Sequence, residues 1–121
     1  MGERPQDIRE RAMDYAVRAI KLVQFLRGRK DDAGTIVGRQ FLRSATSIGA
    51  NLTEAQAAES RSDFIHKNAI AQKEARECRY WLRLMQRAEL APPPRLEPLL
   101  DETEQMIAII TRILVNTKKN K

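Results

Sequence analysis

The chain has 121 residues, 42% of them apolar and 31% charged, and its 22 Lys and Arg against 16 Asp and Glu give a net charge of +6. That is material for one hydrophobic core, which excludes wholesale disorder and a comfortable pair of domains. No apolar run approaches the about 18–20 residues of a membrane span, and one Cys and one His leave no internal disulfide and little metal or acid–base chemistry. The opening residues lack the apolar stretch of a secretory signal, so the expected compartment is the cytoplasm.

Ala, Leu, Arg, Glu, Gln and Lys dominate, β-branched and aromatic residues are sparse, and apolar residues recur at spacings of three and four. A first helix is expected over 6–27, with Asp7 near its start and Ile8, Ala12, Tyr15, Ala19, Leu22 and Leu26 on its buried face. Gly28 is the expected stop. After a polar loop, a second helix over 33–57 buries Val37, Phe41, Ala45, Ile48, Leu52 and Ala55. Its interior Gly38 and Gly49 would each cost about 1 kcal/mol in an exposed helix, which points to close approach by another backbone or to a bend, the alternative being neutral drift. Ser60 followed by Asp63 resembles a capping box and opens a third helix over 61–89, with Phe64, Ala71, Ala75, Cys78, Leu82 and Met85 inward. Ala91-Pro92-Pro93-Pro94 ends it. A fourth helix is expected over 95–116, with Pro98 tolerable only in the first turn. Leu96, Leu100, Thr103, Ile107, Ile110 and Leu114 form its buried face, and 117–121 reads as a frayed basic tail.

Four such helices with short connections predict an all-α, antiparallel up-down-up-down four-helix bundle as a single domain. Ile70, Trp81, Met106, Ile109 and Ile113 lie beside the main stripes. This surplus points to a subunit interface, the alternative being a thick core with imperfectly assigned faces.

Arg76, Arg79, Arg83 and Arg87 step by three, four and four along the third helix, with Tyr80 among them. A row of guanidiniums suits phosphate oxygens, each able to donate two parallel hydrogen bonds. With Lys118, Lys119 and Lys121 of the tail, these are the candidate nucleic-acid contacts. The alternative is a solvated face paired with Glu74, Glu77 and acids of neighbouring subunits. On the second helix Gln40, Arg43, Ser44, Ser47, Asn51 and Glu54 form a polar stripe beside the apolar face. It reads as an interhelical or intersubunit hydrogen-bond network with Glu54 held by an arginine, or else as a ligand or partner site.

Arg61 and His66 match the R-x4-H spacing of the HEPN ribonucleases, where the histidine would take a ribose proton and the arginine would stabilise phosphorane charge. Two residues at one permitted spacing are a weak signal in a chain with 15 Arg. Asp63-x-x-His66 is half of a di-iron pattern whose other carboxylates and second histidine are missing. Cys78 sits on the apolar face as a small core residue. No catalytic residue, cofactor or metal is expected.

The run Arg43-Ser44-Ala45-Thr46-Ser47-Ile48-Gly49-Ala50-Asn51-Leu52-Thr53-Glu54-Ala55 resembles the signature of the four-helix bundle family first named for 23S rRNA intervening-sequence proteins. Arg43, Ser47, Ile48, Gly49, Ala50, Asn51, Glu54 and Ala55 match it, and Leu52 replaces the usual Ile. Ser62-Asp63-Phe64-Ile65, Lys73-Glu74-Ala75-Arg76-Glu77 and Tyr80-Trp81-Leu82-Arg83-Leu84 resemble the family's third helix. The resemblance spans about residues 8 to 116. It implies a homopentamer around a central channel, with no established enzymatic activity. A similar bundle is the accessory protein of diversity-generating retroelements, a basic pentamer that binds nucleic acid and the reverse transcriptase. The expected partners are therefore further copies of the chain, structured RNA or DNA, or a reverse transcriptase, and no membrane. Five copies would raise +6 to about +30, and a multivalent ring can bind RNA usefully even where each subunit binds weakly. A purely structural or protein-interaction module and a ribonuclease are the other readings.

Overall fold

The computed structural model describes residues 7–120, and these form four helices in chain order: α1 Ile8–Gly28, α2 Asp32–Gln56, α3 Arg61–Arg87 and α4 Pro93–Lys119. Three of the starts are capped by side chains that occupy otherwise unbonded backbone N–H groups. Asp7 accepts from the Arg9 N–H at 2.7 Å, Asp31 from Ala33 at 3.1 Å and Ser60 from Asp63 at 3.0 Å. Position 6 of the predicted first helix lies outside the described residues.

The helix ends correct the sequence reading at several points. α1 ends at Gly28, one residue beyond the expected 27, and Lys30, not the glycine, takes the left-handed conformation at φ 56°. α3 stops at Arg87, and Glu89 at φ 54° turns the chain so that the Leu90 N–H reaches the Met85 carbonyl at 3.0 Å. This backward bond satisfies one of the orphan carbonyls of a helix end. α4 starts at Pro93 rather than 95, because the first-turn N–H groups have no intrahelical acceptor and a proline there loses nothing. Pro98 lies beyond the first turn, and the helix continues through it. At the other end α4 runs on to Lys119, so residues 117–119 are helical rather than a frayed tail.

Pairings along the helices fix their directions. Phe25 near the end of α1 stacks under Arg95 at the start of α4, with the guanidinium 3.9 Å from the ring centre. Arg11 near the start of α1 makes a two-pronged bond to Glu102 at 2.7 and 2.9 Å and reaches Gln105 at 2.9 Å. Arg61 donates to the Thr117 carbonyl, Gln72 to Thr111 at 2.8 Å and Arg79 to Glu104 at 2.9 Å, which runs α3 against α4. Each helix packs on its two neighbours in an antiparallel four-helix bundle; α2 and α3 meet most extensively and α1 and α4 least.

Tyr15, Phe41, Ile48, Leu82, Met85, Leu96, Met106 and Ile110 fill the core, with Tyr15 edge-on to Phe41 at 6.2 Å. The Tyr15 hydroxyl donates to Thr103 Oγ1 at 2.6 Å, which in turn donates to the Leu99 carbonyl. At Gly49 α2 passes Ala12 of α1: a Cβ there would stand 3.4 Å from that of Ala12 and 3.8 Å from its carbonyl carbon, an ordinary van der Waals contact. At Gly38 a Cβ would press on the Leu26 side chain at 3.2 Å. Among the described residues no helix is long and apolar enough to cross a membrane.

Candidate nucleic-acid interface

A helix whose outward residues recur at alternating steps of four and three presents one straight stripe to solvent. On α3 that stripe is Ser62, His66, Ala69, Lys73, Arg76, Tyr80, Arg83 and Arg87, and every one of them is exposed. Among the described residues Lys73, Arg76, Arg83 and Arg87 form no ion pair. The predicted row changes in two places. Arg79 turns 60° or so off the stripe towards α4 and is spent on Glu104. Lys73 joins the row. It is found by carrying the alternating spacing back one step from Arg76.

The acids that could have neutralised this row point elsewhere. Glu74 and Glu77 lie on the flank of α3 that meets α2, so the expected pairing of the row with them does not form. Glu77 Oε1 accepts from three donors: the Ser44 hydroxyl at 2.8 Å, the Trp81 indole N–H at 3.2 Å and the Arg43 guanidinium. The Ser44 bond, with those of Trp81 and Arg43, holds the Glu77 carboxyl below its ordinary range against the opposing effect of burial. Glu74 is buried, with Oε2 3.6 Å from Arg43 and Oε1 lacking a protein partner.

The polar stripe of α2 is therefore divided. Arg43 and Ser44 cross to α3, and Glu54 pairs with Lys67 at 3.0 Å, not with an arginine. Asn51 turns back to the Ser47 carbonyl of its own helix at 2.8 Å, so Ser47 and Asn51 make no side-chain bond across helices among the described contacts. Ser44, fully buried, is the residue that ties the seam together.

The candidate subunit contacts do not gather into one patch. Met106 is fully buried in the core of the single chain, one step inward of Ile107, and is removed from any interface. Ile70 and Trp81 are half-buried on the Glu74–Glu77 flank of α3, while Ile109 and Ile113 are half-buried on the flank of α4 that carries Glu102. More exposed apolar side chains lie on α1, where Met13, Val17 and Ile20 follow at steps of four and three and are 63%, 45% and 42% exposed. Beside them Met13, Ala16, Thr46, Gly49, Ala50 and Thr53 line a depression of about 510 Å³ between α1 and α2.

Lys118 and Lys119 occupy the last turn of α4, beside Arg61 at the start of α3, and so lie at the end of the bundle away from Arg83 and Arg87. Lys121 lies outside the described residues. Arg61 and His66, five residues apart on a regular helix, diverge by about 140° around its axis, and Arg61 is drawn to the Thr117 carbonyl. Among the described residues no three His, Cys, Asp or Glu side chains converge on a metal-sized site. Cys78 is buried against Tyr15, and burial pushes its thiol up to about 12, far from the thiolate a reactive cysteine needs.

A sequence model of the family described as 23S rRNA-intervening sequence protein matches residues 4–112. The structure is similar to the crystal structure of a protein with unknown function from the S23 ribosomal protein family of Bacteroides thetaiotaomicron, with 37% identity and a TM-score of 0.83 over 89% of this chain and 98% of that one. Among curated proteins none matches.

Proposed function

The chain belongs to the 23S rRNA-intervening sequence protein family, and from that premise we propose that it is a non-catalytic, self-associating helical bundle that binds a polynucleotide through the outer face of α3. The observation that carries the reading is the separation of charge on α3. Its mid-helix acids Glu74 and Glu77 turn to Arg43 at the seam with α2, while Lys73, Arg76, Arg83 and Arg87 stand in solvent on one line. Positive side chains so arranged neutralise successive phosphates and displace their counterions. Contacts to phosphate fix position and carry no sequence information, so binding is expected to be tolerant of sequence. The names of the family and of its solved member refer to ribosomal RNA and to a ribosomal protein, which agrees with a polyanionic partner.

Self-association enters through α1. Met13, Val17 and Ile20 form an exposed apolar run of the kind that homo-oligomers cover. Repeated copies of a weak basic face bind one strand by avidity, and five copies, as in the homopentamer the family resemblance implies, would present five such stripes. The same apolar run supports the second reading, a protein-interaction module in which the positive charge serves solubility alone.

A salt titration separates the two. With about four phosphates neutralised per protomer, log affinity for a single-stranded polynucleotide falls against log salt with a slope near −3 per bound protomer. A flat slope, or no binding at low salt, overturns the reading. Sedimentation of the same samples at micromolar protein is expected to show an oligomer, and a stable lone protomer would remove self-association from it.

A further inference from the structure

The outward stripe of α3 carries one residue that a purely electrostatic surface has no use for. Tyr80 stands between Arg76 and Arg83 with 59% of its surface exposed. Its ring is braced: it lies 5.0 Å from the Trp81 ring, edge to face at 76°. Trp81 is half-buried and is held through its indole N–H by Glu77, which Ser44 and Arg43 hold in turn. On the solvent side Tyr80, Arg83, Leu84 and Arg87 line a depression of about 390 Å³. One aromatic, one aliphatic and two guanidinium side chains therefore converge there.

An isolated phosphate or an acidic peptide gains chiefly from the arginines, and a lipid surface that also takes up an aromatic ring is separated by the vesicle arm of the test below. A nucleobase gains from both, because every base has a π-face that stacks on an aromatic side chain. A base pair inside a duplex already spends its two faces on its neighbours. We propose that this face binds unpaired nucleic acid, with Tyr80 stacking on a base while Lys73, Arg76, Arg83 and Arg87 hold the phosphates on either side. The inference deepens the polynucleotide reading above and rests on it. Arg76 and Arg87 are eleven residues apart, about 16 Å along the helix axis, so a strand following α3 meets positive charge before and after the ring. Within a structured RNA the matching elements are loops and bulges, whose bases are free to splay out.

The test uses the full chain and equal-length fluorescent probes: a single-stranded oligoribonucleotide, its deoxy counterpart and a blunt duplex, with inorganic polyphosphate as a base-free competitor. The single strands bind more tightly than the duplex. Tyr80→Ala weakens single-strand binding about tenfold, the range that removal of one stacking aromatic produces. Tyr80→Phe keeps it, and competition by polyphosphate is the same for all three proteins. A 2-aminopurine base in the strand is quenched by the parent chain and by Tyr80→Phe, and not by Tyr80→Ala. Preference for the ribo or the deoxy strand distinguishes RNA from DNA, and either supports the assignment. Because Tyr80 is exposed, both variants keep the helical circular dichroism of the parent, which serves as the folding control. Steep salt dependence with indifference to Tyr80→Ala, or a duplex bound as tightly as the single strand, overturns stacking and leaves the polynucleotide reading standing. Anionic vesicles bound as tightly as the strand, and equally dependent on Tyr80, overturn the assignment to bases. Absence of binding to any polynucleotide removes both.

Discussion

The flank of α3 that meets α2 and the stripe of α3 that faces away from the bundle both carry charge, and they use it in opposite ways. On the flank, Glu77 gathers three donors onto one oxygen, and Arg43 is shared with the buried Glu74. Apart from Glu74 Oε1, the carboxylate oxygens named there are engaged within the protein. On the stripe Lys73, Arg76, Arg83 and Arg87 form no ion pair among the described residues, so their hydrogen-bonding capacity is available. What separates engaged charge from free charge here is the partner each side chain already has, since Glu74 and Glu77 and the basic row lie on one helix. The two faces are also joined, because Trp81, fixed by the flank, braces Tyr80 on the stripe.

The strongest way to break this contrast is to remove the free charge alone. In the combined Arg76→Ala, Arg83→Ala and Arg87→Ala variant, affinity for a single strand falls on the order of 100-fold at low salt, and the salt slope shrinks by about 2. Thermal or urea unfolding of the same variant stays within about 0.5 kcal/mol per site, since each side chain is exposed and unpaired. A large loss of stability with unchanged binding would invert the assignment of the two faces.

Glu77 should behave the other way round. Glu77→Ala strands the Ser44 hydroxyl, the Trp81 N–H and the Arg43 guanidinium, and is expected to cost about 2 kcal/mol in urea unfolding. Polynucleotide affinity, which meets Glu77 only through the Trp81 brace on Tyr80, is expected to fall by no more than the about tenfold of Tyr80→Ala and far less than in the arginine variant. The acid limb sharpens the point. The Glu77 carboxyl is held below its ordinary value near 4.5, so the folded chain takes up its proton less readily than the unfolded one. The resulting stability is present above that ordinary value and is lost as pH falls through the lowered one. Glu77→Gln is expected to flatten this limb in pH-dependent unfolding, and an unchanged limb would move the acid sensitivity to another group.

Much of this was legible in the sequence because helix periodicity reports burial directly. The stripes of Ala12, Tyr15, Ala19, Leu22 and Leu26, and of Phe41, Ala45, Ile48 and Leu52, are the observed core. The capping roles of Asp7 and Ser60 follow from local hydrogen-bonding chemistry that needs no tertiary information. Met106 was misplaced because the fourth stripe is broad, and a wheel cannot choose between adjacent Ile107 and Met106 without knowing where α1 and α3 stand. Arg79 was misplaced for a related reason. It sits at the edge of the row, and only the presence of Glu104 on α4 decides which way it turns. The division of the α2 polar stripe, with Ser44 crossing to α3 and Asn51 turning back, depends on which side chains face a neighbour and is not written in the spacing.

The smallest expected effect concerns the lysines that sequence reading grouped with the arginine row. Lys118 and Lys119 lie in the last turn of α4, where positive charge favours the negative end of the helix dipole; their joint replacement by Ala is expected to cost about 0.3–1 kcal/mol of stability. Their neighbour on α3 is Arg61, fifteen residues and about 22 Å of helix short of Arg76. That distance is more than two Debye lengths at physiological salt, so a short strand seated at Tyr80 does not feel them. A probe long enough to follow the whole of α3 does reach them. Lys118→Ala with Lys119→Ala therefore leaves the affinity of a short oligonucleotide within about twofold and weakens a long one measurably more, by about one phosphate contact's worth. Equal losses for short and long probes would place the strand across the end of the bundle instead of along the α3 stripe.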